Sequence, residues 1–273
     1  MATADLLVVI LDLILRHIPI VYWEQFHFVW YIRLCNIHAV LLYAATDCSV
    51  WFTVTFTFDR FVAICCQKLK TKYCSEKTAT VILGVVSALS CLKNLFWYFM
   101  YTSKYELDNS PWFCNVTDEN TDSQLWAVFE LLHYTLTPCI PFVLILLLNA
   151  LTVRHIVVTS RARSRLRAFS SGESPKDAEM VNRRKSIILL FVISGNFILL
   201  WSMFMVYSIW NRLWYFLGNV GSINAIVQET GYILQLLSCC TNTCIYAVTQ
   251  TMFREQLKNV VNYPFMLMCK IIK

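Results

Sequence analysis

The stretch 53–66, TVTFTFDRFVAICC, decides the fold. It places an acid, a base and an aromatic residue, Asp59, Arg60 and Phe61, at the end of an apolar run that begins near Leu41. A guanidinium group at a membrane boundary is costly unless the protein uses it. Because an arginine at the end of a span often only extends to the lipid headgroups, the triplet needs support from the rest of the chain.

The composition describes a chain whose surroundings are mostly lipid, with 58% hydrophobic and 15% charged residues. A membrane helix needs about 20 apolar residues, and the alternating pattern of a membrane β-barrel is missing. We therefore predict an all-α membrane protein, a helical bundle of the seven-transmembrane receptor type, with six spans. These lie near 2–23, 32–66, 78–101, 127–157, 186–210 and 223–249.

The charges between the apolar stretches predict the orientation, because basic loops stay in the cytosol. Segment 67–77 contains four lysines, and segment 154–185 contains an arginine-rich run. Loop 102–126 is acidic and holds the glycosylation sequence Asn115-Val116-Thr117, so we place it outside. The net charge of +6 is thus explained by topology, and we predict the lipid bilayer, and no nucleic acid, as a partner.

Most of the twelve cysteines lie inside spans or at cytosolic ends, where thiols stay reduced. Cys35 begins the second span on the outer side, and Cys114 lies in the acidic outer loop. Both face the oxidising compartment, and no other outside partner is evident. We therefore predict a Cys35–Cys114 disulfide that holds the loop over the mouth of the bundle.

Four motifs follow one another in order along the spans. MATADLL, residues 1–7, resembles the second-helix motif of rhodopsin-like (class A) G-protein-coupled receptors, and Asp59-Arg60-Phe61 matches their Asp-Arg-Tyr triplet with Phe last. FILLW, Phe197 to Trp201, matches their aromatic switch, and NTCIY, Asn242 to Tyr246, matches their Asn-Pro-x-x-Tyr motif without its proline. Within that family the chain is similar to shark-type relatives of the orphan receptors that sense aromatic amino acids.

The resemblance implies a plasma-membrane receptor that binds a small extracellular ligand, an aromatic amino acid or a short peptide, and activates a heterotrimeric G protein by helix rearrangement. It also allows a receptor dimer. The coupling and switch residues would be Asp59, Arg60, Phe61, Phe197, Trp201, Asn242 and Tyr246. At the base of the Trp201 helix the family often has an acid that holds the arginine, but residues 182–185 are Asn, Arg, Arg and Lys. We therefore expect a low barrier to activation, or basal activity.

A sodium site is implied by the same resemblance, with Asp5, Ser49, Ser238 and Asn242 as its oxygen donors. An unpartnered carboxylate at the centre of a membrane helix costs about 2.5–3.5 kcal/mol, so Asp5 needs a cation or polar neighbours. The alternative is a hydrogen-bonded cluster without an ion. We predict no other metal or cofactor.

The outer half of the second span presents Ala39, Leu42, Tyr43 and Thr46 on one helical face. Leu42 stands where amine receptors keep an aspartate, so biogenic amines are unsuitable ligands. The predicted ligand pocket contains Tyr43, Thr46, Glu130, His133, Trp201, Phe204 and Tyr232. The alternative is that these aromatic residues are ordinary packing residues and Glu130 a solvated rim residue.

Beyond the spans we predict a basic cytosolic loop at 159–182 and, within 250–273, a short amphipathic helix, with Cys269 as a candidate for palmitoylation. Asp5 belongs to the second helix of the family, so we expect the first helix to be missing, either through an incomplete gene or in a real six-span product.

The sequence leaves two other functions open. A truncated, non-signalling receptor would act as the dimer partner of a complete one. A transporter would use Asp5, Asp12, Arg16, Lys93 and Glu130 as a polar path, but Asp12 and Arg16 can pair as i,i+4 neighbours. Nothing in the sequence indicates an enzyme: it contains no nucleophile elbow, phosphate-binding glycine loop or metal-spaced His/Cys cluster.

Overall fold

The computed structural model describes residues 1–106, 113–117, 124–167, 178–217, 225–249, 254–255, 258–259 and 262–263. Most of the predicted C-terminal helix, Cys269 and the middle of the predicted cytosolic loop lie outside these residues. In chain order the elements are α1 Ala2–Val8, a π-helix Val9–His17 (π1), α2 Ile18–Val21, a 3-10 helix His27–Tyr31, α3 Cys35–Cys65, α4 Gln67–Tyr73, α5 Glu76–Asn94, α6 Trp97–Met100, β1 Tyr101–Tyr105, β2 Cys114–Val116, α7 Gln124–Tyr134, a second π-helix Thr135–Cys139 (π2), α8 Ile140–Arg167, α9 Ala178–Leu217 and α10 Ala225–Thr249.

The prediction of an all-helical bundle is confirmed. By length and hydropathy, five helical stretches among the described residues are suited to cross a membrane. They are Cys35–Cys65, Glu76–Met100, Val128–Ala162, Ser186–Trp210 and Ile226–Val248. The predicted span 2–23 is not one of the five. It consists of the short segments α1, π1 and α2 in succession, and it contains three charged residues, Asp5, Asp12 and Arg16, all of them buried.

Helix α3 is the central element of the bundle. It packs against α1, α5, α8 and α9, while α10 packs against α9 and α1. Its 31 residues extend about 46 Å at a rise of 1.5 Å per residue, so its two ends lie on opposite sides of the bundle. Cys35 lies at one end of α3, next to the hairpin formed by β1 and β2, and this end is called the hairpin end. Arg60 lies near the other end of α3, which is called the Arg60 end.

The core between α3, α8 and α9 contains Val50, Ile145 and Phe197, each at most 1% exposed. Outward-facing positions keep large apolar side chains, such as Leu199 and Leu89. This distribution is opposite to that of a water-soluble bundle and matches a helix surface in contact with lipid. The chain is therefore a multi-pass membrane protein.

Two features of the sequence shape the helices that form the site. Pro138 has no N–H to donate and interrupts the helix around it, and its neighbour Thr137 departs from helical geometry within π2. In contrast, the segment 178–217 contains no proline. Helix α9 accordingly runs from Ala178 to Leu217 as one α-helix.

A small β-hairpin covers the hairpin end. β1 and β2 pair antiparallel, with Tyr101 opposite Val116, and the predicted Cys35–Cys114 disulfide is present. Phe113 is fully buried and lies with its ring centroid 4.5 Å from that of His38. Burial raises the pKa of the Tyr105 phenol, whose oxygen lies 3.3 Å from Nδ1 of His38. The disulfide and this aromatic contact hold the hairpin on the bundle.

Replacing Cys114 with Ser is expected to destabilise the protein by about 2–5 kcal/mol, the usual cost of losing a native disulfide. The bridge spans 79 residues, so its loss frees a long loop in the unfolded chain. Thermal unfolding of the detergent-purified protein measures this effect. Cys91→Ser is the matched control, because Cys91 is an exposed free thiol on α5. Equal melting temperatures for the two variants would contradict the prediction.

Candidate functional site

A cavity of about 40 Å³ lies between the helices toward the hairpin end. Its walls come from π1, α3, α7, π2, α9 and α10, and its lining residues are Asp12, Arg16, Leu42, Tyr43, Thr46, His133, Tyr134, Thr137, Trp201, Phe204, Tyr232 and Gln235. Six of the seven residues predicted for a ligand pocket are among them. The seventh, Glu130, is buried on α7 but does not line the cavity. The structure therefore brings the predicted set together with one exception.

Six of the twelve residues that line the cavity carry aromatic rings. On α9, Trp201 packs on Phe197 with 5.3 Å between ring centroids and meets Phe204 edge-on at 5.9 Å. Phe204 continues to Tyr232 on α10 at 5.4 Å. From the opposite side, His133 approaches the ring of Tyr43 edge-on at 5.1 Å. Tyr134 connects the two groups, with ring centroids 5.3 Å from His133 and 6.3 Å from Phe204, so the rings join α3, α7, α9 and α10.

A buried ion pair, Asp12 with Arg16, completes the wall. Nε of Arg16 donates to Oδ1 of Asp12, and both residues are at least 97% buried. The guanidinium carbon of Arg16 lies 4.9 Å from the centre of the Tyr232 ring. The sequence predicted this pairing but not its place at the cavity. The useful signal was two opposite charges in an apolar span, which usually mark a functional site.

The same network extends toward the outer surface through His17. Its Nδ1 lies 3.5 Å from Oδ1 of Asp12, and its Nε2 lies 3.9 Å from Oε2 of Glu229 on α10. Glu229 is partly exposed, with 40% of its side chain accessible. A row of alternating basic and acidic groups therefore leads from the solvent to Arg16.

A second buried ion pair lies beside the cavity and was not predicted. Nζ of Lys93 on α5 is 2.6 Å from Oδ2 of Asp47 on α3, and it donates to Oγ1 of Thr137 at 3.3 Å. The amide of Asn94 donates to the same Asp47 oxygen at 2.6 Å. This polar junction links α3, α5 and π2 immediately next to the cavity residues Thr46 and Thr137.

The predicted sodium-site residues occupy the interior where α1, α3 and α10 meet. Oγ of Ser49 donates to Oδ1 of Asp5. Ser238 and Asn242 are buried on α10, and Asn242 accepts a hydrogen bond from the amide of Asn196 at 3.2 Å. Among the described residues, Oδ2 of Asp5 and Oγ of Ser238 have no hydrogen-bond partner. The donor set is oxygen-rich, which is the type that hard cations prefer.

At the Arg60 end, the guanidinium group donates hydrogen bonds to Asp59 and Ser186. Nη2 lies 2.5 Å from Oδ2 of Asp59, and Nη1 donates to Oγ of Ser186 on α9 at 3.2 Å. The side chain also lies over the ring of Phe56, 5.6 Å from its centre. Ser186 was not predicted, because a serine one residue after a basic run carries no distinctive pattern. Arg60 is therefore connected to α9 through a neutral hydroxyl group.

Tyr246 lies near this arginine and lines the same cavity of about 490 Å³ as Asp59 and Arg60. Its ring meets Phe56 edge-on at 6.4 Å. Phe61 follows Arg60 on α3 and is partly exposed. Of the predicted coupling residues, Asp59, Arg60 and Tyr246 thus line this cavity, and Phe61 and Asn242 do not. Phe197 and Trp201 lie toward the other cavity.

Comparisons with known proteins agree with this arrangement. The sequence profile described as "7 transmembrane receptor (rhodopsin family)" matches residues 1–246. The compound eye opsin BCRH2 of Hemigrapsus sanguineus is 23% identical over 224 residues, which cover 81% of this chain and 58% of the opsin. The chain therefore matches a little over half the length of that relative.

Proposed function

The chain belongs to the rhodopsin family of seven-transmembrane receptors, and we propose that it binds a small extracellular ligand in the aromatic cavity and activates a heterotrimeric G protein at the Arg60 end. Receptors of this family are signalling proteins rather than enzymes.

One observation carries the proposal: a single helix joins the two sites. Helix α9 supplies Trp201 and Phe204 to the ligand cavity and Ser186 to Arg60. Fifteen residues separate Ser186 from Trp201, or about 22 Å of helix at 1.5 Å per residue. Because α9 is unbroken between them, a ligand that displaces Trp201 would move Ser186 away from Arg60. Helix α9 would then act as the two-state element that both sites bias.

An aromatic amino acid or a short peptide suits the cavity better than an amine. Rings of Tyr43, Trp201 and Phe204 favour an aromatic side chain, and Leu42 offers no charge to an amine. The present volume of about 40 Å³ holds only a few water molecules at roughly 10–15 Å³ each. Ligand entry must therefore move side chains of the wall, which is the motion that the signal requires.

The similarity to a compound eye opsin raises light as an alternative stimulus. A carbonyl chromophore is held covalently when a lysine forms a Schiff base with it. No residue that lines the cavity is a lysine, and the segment 225–249 contains none. We therefore favour a diffusible ligand.

We propose that Asp5, Ser49, Ser238 and Asn242 hold a sodium ion in the resting receptor, which would supply a partner for the buried carboxylate oxygen. Asn115, partly exposed on β2, is proposed to carry a glycan. The plasma membrane is the proposed location, where a receptor dimer could also form.

The test is second-messenger output in cells that express the chain. We expect L-Trp and L-Phe to raise inositol phosphate or cAMP signals in a dose-dependent way, and L-Leu, which has no ring to stack on the aromatic wall, to be weaker by about tenfold or more. Illumination is applied separately. A response to light alone would replace the ligand proposal, while silence in cells with confirmed surface expression would favour the non-signalling dimer partner.

A further inference from the structure

The Asp12–Arg16 ion pair lies in the cavity wall, where packing alone does not explain it. The desolvation penalty of burying two charges often exceeds the free energy of their attraction. Proteins in which apolar residues of similar size replace a buried ion pair are frequently as stable. Both side chains are almost fully buried, yet both line the cavity. A pair kept only for packing has no need to face a cavity. Its position indicates that a ligand meets it.

The local backbone contributes to this position. Asp12 and Arg16 lie in π1, whose wider turns change the direction of side chains relative to an α-helix, and such segments are frequent at functional sites. Tyr232 on α10 lies against the guanidinium group and limits its rotation. Nε–H of the Arg16 guanidinium group is directed to Asp12. The planar group suits carboxylate recognition.

We propose that Asp12 and Arg16 together form the subsite for the charged end of an α-amino acid. The ligand carboxylate would contact Arg16, and its ammonium group would contact Asp12. Because an amino acid carries both charges on one carbon atom, it meets the side-by-side acid and base with each charge opposite its partner. The inference rests on the proposed function of the cavity as a ligand site.

This arrangement explains selectivity by net charge. A zwitterion adds no net charge to a buried site that is itself neutral. An amine without a carboxylate, or an acid without an ammonium group, would bring one uncompensated charge into a region of low dielectric, which is costly. The ring of the ligand would then lie toward Trp201 and Phe204, which line the same cavity.

The test compares three ligands on the wild-type receptor. L-Phe carries both charges, L-phenylalanine amide lacks the carboxylate, and N-acetyl-L-phenylalanine lacks the ammonium group. We expect L-Phe to be more potent than either analogue by about tenfold or more, the effect of one charge-assisted contact. Potency of either analogue equal to that of L-Phe overturns the subsite. Silence toward all three in cells with confirmed surface expression overturns the proposed function as well.

Two variants assign the contacts to residues. In Arg16→Gln, the advantage of L-Phe over the amide should disappear, and in Asp12→Asn its advantage over the N-acetyl compound should disappear. The double variant Asp12→Asn/Arg16→Gln replaces the ion pair with two amides and leaves no buried charge unpaired, so it keeps the test valid if a single variant misfolds. Ile14→Ala, an exposed site on π1, should keep wild-type selectivity. Retention of both preferences in the double variant overturns the assignment.

Discussion

Lys93→Met is expected to destabilise the protein by about 3–5 kcal/mol, because it leaves Asp47 buried without its positive partner. Asp47 is 1% exposed and lies 2.6 Å from the Lys93 ammonium group. Asn94 would remain as a hydrogen-bond donor to the carboxylate, and the Lys93 side chain is 23% exposed, so the lower part of this range is expected. Thermal unfolding of the purified protein in detergent is the direct measurement.

Two controls separate the charge from the side chain. In Asp47→Asn/Lys93→Met no charge remains, and most of the lost stability should return. Lys104→Met removes a lysine that is exposed on β1 and should change the melting temperature little. A single variant Lys93→Met as stable as the wild type would show that the pair contributes nothing, and a double variant less stable than the single one would point to packing instead.

The contrast between the two buried ion pairs shows what the sequence could predict. Asp12 and Arg16 are four residues apart, so their pairing follows from helical geometry alone. Asp47 and Lys93 are on different helices, and their contact depends on the rotation and depth of α5 against α3. Hydrophobic periodicity cannot supply this information when most of a helix surface faces lipid, because the lipid-facing side is as apolar as the interior.

For the cavity residues too, the sequence predicted positions on regular helices better than positions that depend on helix irregularity or packing. Tyr43 and Thr46 could be predicted because α3 is a regular helix with 3.6 residues per turn. Arg16 was predicted to form a local pair and was not predicted to line the cavity. The π-helix changes the angle between successive residues, and no pattern in the sequence predicted a π-helix. Glu130 was predicted to converge with the others, but it is buried on α7 and does not line the cavity, although His133 on the same helix does. The irregular helix at π1 therefore decided the outcome for Arg16, and the rotation and depth of α7 decided it for Glu130.

The disulfide could be predicted without knowing helix packing. Once the basic loops were assigned to the cytosol, Cys35 and Cys114 were the remaining cysteines in the oxidising compartment. The structure places them in a bridge. The membrane topology and the redox compartment of the cysteines thus predicted a long-range contact, which hydrophobic periodicity could not predict.

Arg60→Ala is expected to abolish ligand-stimulated second-messenger output while leaving ligand binding nearly unchanged. Arg60 lies at the far end of α3 from the ligand cavity, so its loss does not alter the cavity wall. The guanidinium group is partly exposed, with 31% of its side chain accessible, and its contacts to Asp59 and Ser186 are ones that helix movement can release. Second-messenger output and ligand binding are measured on the same cells. Full output from Arg60→Ala would contradict the assignment of this residue to coupling.

Ser186→Ala is the informative companion, because it removes the hydrogen bond between α9 and Arg60 and leaves the Asp59 contact in place. One such hydrogen bond contributes about 0.5–1.5 kcal/mol, which corresponds to a rise in the active fraction of roughly 2- to 12-fold where that fraction is small. Basal output should rise by that factor. Ser186→Asp would place a carboxylate opposite Arg60 and should lower basal output below that of the wild type. If both variants show wild-type basal output, the contact between α9 and Arg60 does not restrain the receptor, and the resting state must be held by the packing of α9 against α10.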